Sequence, residues 1–177
     1  GGQAIADHRQ GTMHGTWDRI QSDGSGVASK IEPLHVGARP LGKLSIRIME
    51  AQDLVAKDEA QSGQLSGTSD PYVDVHLEGS YWRSSVIEKT CNPQWSDQAA
   101  EIPFSSLDSL LHLVLFDNDG VFSSDDYLGE ILLPVGFFRF ASGTKPADLW
   151  LKVQAPPNHE SPVTGYLNVH VRMLDLD

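Results

Sequence analysis

The chain is poor in cysteine: Cys91 is the only one in 177 residues. A lone thiol excludes an internal disulfide and a cysteine-rich zinc site, and it fits a reducing, cytosolic setting. Basic residues are also scarce. Thirteen Lys and Arg stand against 24 Asp and Glu, a formal charge of -11. Such a chain repels the phosphate backbone, which argues against DNA or RNA as a partner. It repels an anionic membrane too, unless a cation cancels part of the charge. No apolar run approaches the roughly 18 residues of a membrane-spanning helix. No charged-then-apolar leader opens the chain, and its start at Gly1-Gly2 reads as that of a piece of a longer protein. Internal repeats and amphipathic helical periodicity are lacking. So are a nucleophile elbow, a phosphate loop and any paired His spacing among the seven His (His8, His14, His35, His76, His112, His159 and His170). Catalysis by this chain alone is therefore not expected.

What is present changes character near Gly42. Residues 1–41 carry four acids and four bases and are rich in Gly, Ser, His and Gln. They read as a flexible polar arm, with Trp17 and Ile20 as its possible anchors. All of the net charge lies in residues 42–177, which read as one domain. There the apolar residues alternate with polar ones in short runs, the period of a half-buried strand. The runs are Lys43 to Glu50, Tyr72 to Leu77, Trp82 to Ile87, Ala100 to Phe104, Leu111 to Phe116, Leu128 to Leu133, Asp148 to Val153 and Tyr166 to Leu174. Ser105 to Leu111 and Val135 to Phe140 read as short turns. Eight strands punctuated by Gly, Pro, Ser and Asp predict an all-β, eight-stranded antiparallel Greek-key sandwich. Trp82, Trp95 and Trp150 are expected in its core or at the core's edges.

The acids crowd into two loops. One window runs from Asp58 to Asp70. The other, Asp117-Asn118-Asp119-Gly120-Val121-Phe122-Ser123-Ser124-Asp125-Asp126, holds four Asp in ten residues. Clustered carboxylates raise one another's pKa and repel, which a cation among them would relieve. The windows offer oxygen donors without Cys or His, a hard set suited to calcium rather than zinc. Acids on loops are also often merely solvated, and the residues alone leave both readings open. An EF-hand is excluded: counted from Asp117, Val121, Phe122 and Leu128 occupy positions where that loop needs an oxygen donor, Gly and Glu.

Four short motifs occur in order. They are Ser69-Asp70-Pro71-Tyr72-Val73, Asn92-Pro93-Gln94-Trp95, Asp117-Asn118-Asp119 and Tyr127-Leu128-Gly129-Glu130. In this order and spacing the chain resembles a C2 domain, the calcium- and phospholipid-binding β-sandwich, from Gly42 to about Leu174. The long first loop after Met49-Glu50-Ala51-Gln52-Asp53-Leu54, and Ser85-Val86-Ile87-Glu88 before the Asn-Pro turn, resemble the first C2 domain of extended synaptotagmins and tricalbins. Those proteins tether the endoplasmic reticulum to the plasma membrane. The first strand leads straight into the Asp58 loop and the last ends the domain, which resembles the permuted, type II topology.

The resemblance implies calcium as cofactor. It implies Asp58 and Asp70 as ligands from the first loop and Asp117 and Asp119 from the second. The fifth ligand is Asp125 counted from Asp117, or Asp126 counted back from Gly129. Backbone carbonyls of Lys57 and Asn118 are further candidates. It also implies docking on an anionic, phosphatidylserine-type membrane at its cytosolic face. Val121, Phe122 and Leu65 are the candidates to insert there; for Val121 and Phe122 the alternative is packing against a neighbouring loop. A strong phosphoinositide site is not expected, because the strand before the Asn-Pro turn carries only Arg83 and Lys89. Two alternatives to calcium-dependent docking remain: a calcium-independent protein-interaction domain, and a regulatory domain of a larger lipid-modifying or kinase enzyme.

Overall fold

A computed structural model describes residues 39–58 and 67–174. The arm up to residue 38, with Trp17 and Ile20, and Leu65 of the first loop lie outside the described residues. The order of elements is β1 (Gly42–Gln52), β2 (Pro71–Leu77), β3 (Ser80–Arg83), β4 (Gln94–Phe104), β5 (Leu110–Asp117), β6 (Asp126–Pro134), the 3-10 helix η1 (Val135–Ala141), β7 (Ala147–Lys152) and β8 (Tyr166–Leu174). They form two four-stranded sheets, β4-β1-β8-β7 and β3-β2-β5-β6, with every neighbouring pair antiparallel. This is the expected Greek-key sandwich. The first strand runs into the acidic loop and pairs with the last, as the permuted order requires.

Period-two alternation builds the core. On β1, Leu44, Ile46 and Ile48 are fully buried, while Lys43 and Arg47 face solvent. Val73, Val75 and Leu77 of β2, Leu111, Leu113 and Leu115 of β5, and Leu167, Val169 and Val171 of β8 meet them between the sheets. Burying each such side chain contributes about 1.5–3 kcal/mol. Trp95 closes one edge, its Nε1–H donating to the Ser85 carbonyl at 2.8 Å.

Some local features depart from the simple pattern. β3 stops at Arg83 instead of continuing to Ile87. The Ser84 hydroxyl itself accepts the Val73 N–H at 2.9 Å, so a side chain interrupts the backbone ladder there. β4 begins at Gln94, six residues before the apolar alternation starts. Trp150 projects from edge strand β7 and is 45% exposed, so it fills no core. Gly129 sits opposite Leu115 beside a bulge in the β5–β6 pairing, at φ +136°. A Cβ there would lie 2.4 Å from a Val153 methyl, so only glycine lets the β7–β8 loop close over β6. Glu130 and Gln154 then exchange backbone hydrogen bonds of 2.8 and 2.9 Å.

Candidate functional site

β5 carries its inward row, Leu111, Leu113, Leu115, to the rim of the sandwich, where the next inward position is Asp117. The strand period therefore places a carboxylate at a core-facing position, and the side chain is fully buried. Its Oδ1 accepts the Asp70 N–H at 2.5 Å. Its Oδ2 is buried and has no hydrogen-bond partner among the described residues. Burial pushes the Asp117 carboxyl above its ordinary value, the Asp70 N–H and the nearby Ser69 hydroxyl oppose this, and the charges of Asp58 and Asp119 add to the rise.

Asp58 reaches the same place from the first loop. The Lys57 and Asp58 N–H groups both donate to the Thr68 carbonyl, at 3.0 and 2.9 Å. The Ser69 hydroxyl accepts a second bond from Lys57 N–H and donates to Val55 O, both at 3.0 Å. Gly67 lets the two sides of the loop approach: a Cβ on it would lie 2.0 Å from the Asp58 carbonyl. One carboxylate oxygen each from Asp58, Asp117 and Asp119 then lie within 4.8 Å of one another. Asp119 is also pushed above its ordinary value, by burial and by the charges of Asp126, Asp125 and Asp58.

The other expected ligands are placed differently. Asp70 stands apart from this trio, its Oδ1 accepting the Lys89 N–H at 2.6 Å. Asp126 opens β6 directly opposite Asp117 in the ladder. Direct partners in an antiparallel pair share a face, so Asp126 belongs to the Asp117 side. Asp125 belongs to the other side. Its Oδ2 accepts the Tyr72 hydroxyl at 2.5 Å and its Oδ1 the Asp119 N–H at 3.2 Å. Tyr72 lies on the outer face of its sheet, stacked on Phe116 at 5.7 Å, with the Arg83 guanidinium 4.3 Å above its ring. Burial, and then the bond to Asp125, raise the phenol far above its ordinary value, so it remains a donor. Sequence reasoning misses Tyr72 and Ser69 as site residues, although both lie in the Ser-Asp-Pro-Tyr-Val motif that could have pointed to them. Lys57 and Asn118 flank the trio, and the Asn118 N–H donates to the Asp70 carbonyl at 3.0 Å.

Above the carboxylates the β5–β6 loop turns at Gly120, with φ +77°. Val121 is 86% exposed and Phe122 is 100% exposed. The Asn-Pro turn braces the whole end: Asn92 Oδ1 accepts the Asp53 N–H at 2.9 Å, and the Pro93 carbonyl accepts Ala51 N–H at 3.0 Å.

The fold is thus a two-sheet antiparallel β-sandwich that gathers carboxylates from two loops at one pole, beneath an exposed aromatic. The C2 domain family model matches residues 42–153, and the chain belongs to that family. It is 36% identical to human extended synaptotagmin-1 over 126 residues, 66% of this chain and 11% of that protein. The chain thus spans about a tenth of the curated relatives it matches. Its fold is similar to that of the calcium-bound pair of C2 domains, A and B, of extended synaptotagmin 2. The TM-score is 0.63 at 27% identity, covering 77% of this chain and 46% of that one. The A-type C2 domain of a plant extended synaptotagmin 1 shares the fold at TM-score 0.62 and 18% identity, covering 77% of this chain and 96% of that one.

Proposed function

We propose that this C2 domain docks a longer membrane-trafficking or contact-site protein onto anionic phospholipid membranes in a calcium-dependent manner, at the cytosolic face. The observation that carries this reading is the buried, unpartnered Oδ2 of Asp117 converging with Asp58 and Asp119 below a fully exposed Phe122. A buried carboxylate oxygen without a donor is costly, and a hard divalent cation supplies what it lacks. Asp58, Asp117 and Asp119 would hold the ion, with Asp126 on the same side. Asp70 would join once its oxygen leaves Lys89, and the Lys57 and Asn118 carbonyls are adjacent. Asp125 would remain the tethered acid on the Tyr72 side. Bound there, calcium would cancel part of the carboxylate charge and offer coordination positions to lipid phosphate or serine carboxylate oxygens.

The chain's own contribution is positional. The β5 row sets Asp117 at a fixed depth, and the Thr68 and Ser69 bonds set Asp58 across from it. The Gly120 turn lifts Phe122 clear of the protein. Transferring that ring into the headgroup region contributes about 2 kcal/mol. Co-sedimentation with phosphatidylserine vesicles tests the reading. Binding in calcium, its loss in chelator, and its loss in Asp117→Asn with Asp119→Asn are expected. Binding indifferent to calcium and to this pair of substitutions overturns it in favour of calcium-independent interaction.

A further inference from the structure

The pole opposite the acidic loops has its own chemistry. β6 ends there at Pro134, opposite Leu110, and β8 ends there at Leu174, opposite Lys43. Nine-residue strands at about 3.3 Å per residue put the two poles about 30 Å apart. Between β6 and β7 lies η1. It buries Val135, Phe138 and Ala141, and it is pinned by Val135 N–H to Ser109 O at 2.8 Å and Gly136 N–H to Leu107 O at 2.7 Å. With those positions committed to the core, Phe137 and Phe140 point outward, 46% and 61% exposed, their rings edge to face at 6.1 Å.

Cations accompany the two rings. Arg139 lies between Phe138 and Phe140 on the same turn, and Lys145 follows in the η1–β7 loop; both are exposed. Arg172 reaches that loop from β8, its Nη1 donating to Thr144 O at 3.4 Å. Among the described residues none of these three forms an ion pair. The acids at this pole are Glu78 of the β2–β3 turn, whose carboxylate accepts bonds from Ser105, Ser106 and Ser109, Asp108 in the β4–β5 turn, and Asp148, whose Oδ1 already faces Asn168 Nδ2 at 2.5 Å and His170 at 3.7 Å. The acidic loops are several Debye lengths away, so their repulsion is largely screened at this pole at physiological salt.

We infer that this basal pole is a second, calcium-independent contact for an anionic lipid bilayer. Phe137 and Phe140 enter the headgroup layer, and Arg139, Lys145 and Arg172 face lipid phosphate. The pairing of a rigid aromatic wedge with unpaired cations selects this occupant: a bilayer offers an apolar interior beneath a negative surface, and each cation near such a surface raises partition about fivefold. The inference stands apart from the calcium reading, because it uses none of the loop acids.

The full chain is mixed, in chelator and at physiological ionic strength, with phosphatidylcholine vesicles with and without phosphatidylserine. Binding to the anionic vesicles is expected to fall about tenfold or more in Arg139→Glu with Lys145→Glu. It should fall also in Phe137→Ser with Phe140→Ser, and stay unchanged in Asp117→Asn with Asp119→Asn. Melting temperature reports whether each variant is folded. Should the Phe pair unfold, the charge-reversal pair, made at exposed positions, decides. Chelator-resistant binding that survives these substitutions overturns the inference, as does no preference for anionic over neutral vesicles. Failure of calcium-dependent docking alone leaves it standing.

Discussion

Replacing Asp117 by Asn should make the calcium-free domain more stable while removing its response to calcium. Asp117 sits within 4.8 Å of carboxylate oxygens on both Asp58 and Asp119. Two unit charges at that separation repel by about 0.9 kcal/mol at the dielectric of water and about 3.5 kcal/mol at an effective value of 20. Asp58 is exposed, so solvent screening holds the sum over the two pairs near the low end, about 2 kcal/mol. The amide keeps an oxygen to accept the Asp70 N–H, and its new N–H2 faces the two remaining carboxylates, so no bond need be lost. For a domain of this size 1 kcal/mol shifts the midpoint by about 3–5 °C. Thermal denaturation in chelator should therefore show Asp117→Asn melting about 6–10 °C above the parent. In millimolar calcium the parent should rise by mass action while the variant does not move. A variant that melts below the parent in chelator, and still gains from calcium, would refute the electrostatic argument.

Four further outcomes follow from named contacts. Phe122→Ser should weaken calcium-dependent vesicle binding about tenfold without changing the melting temperature, since the ring touches water on all sides, as vesicle titration and calorimetry will show. Asp126→Asn should lower calcium affinity more than Asp125→Asn, read by isothermal titration, because Asp125 is turned toward the Tyr72 hydroxyl. Arg83→Met should cost about 2–3 kcal/mol in denaturant unfolding. It takes from the fully buried Asp74 two guanidinium bonds of 2.7 and 2.8 Å, leaving the Tyr81 hydroxyl at 3.0 Å, and Asp74→Leu made together with it should recover part of the loss. His76 is held down to about 4, mainly by burial, with the charges of His112 and Arg83 in the same direction and that of Asp74 against. The unfolded chain then takes a proton near 6.5 that the folded one refuses. The resulting stability is present above pH 6.5 and lost as pH falls to about 4, by up to about 3 kcal/mol. His76→Gln should flatten this limb of the unfolding free energy against pH.

The strands were legible where one face is wet. On β1 from Gly42 to Met49 and on β8 from Val169 to Leu174 burial alternates residue by residue, so the pattern marks them, and β8 is observed with the same bounds as expected. They were not legible where a hydrogen bond replaces burial as the organising force. The start of β4, Gln94 to Ala99, lacks alternation because an edge strand is held by pairing with β1. The site shows the same division. Its acids were evident from composition, and their convergence followed from loops at one end of a sandwich. Side-chain direction was not evident. A bulge at Leu128 shifts the ladder, so counting from Asp117 and counting from Gly129 disagree by one, and a one-residue shift in a strand changes the face. Asp70 is diverted by Lys89, whose φ of +58° aims its N–H at that carboxylate, and no residue pattern announces a left-handed lysine.

One consequence of this placement couples the site to the core. Asp117 is the last member of a row whose other members are buried leucines, so the sheet cannot relax around the carboxylate without opening the β5–β6 pairing and exposing Leu115 and Leu128, both fully buried. The floor of the site is therefore as rigid as the core beneath it. Among the described residues, its rim, Gly120 to Ser124, bears on little but the Ser123 hydroxyl bond to Asp119 O at 2.8 Å. A rigid floor keeps the like charges close when no cation is present, which raises the gain from binding one. A lightly braced rim lets Phe122 meet a surface of any local curvature. Substitutions that loosen Gly129, such as Gly129→Ala, should then weaken calcium binding in proportion to the stability they cost, although residue 129 touches no acid of the trio.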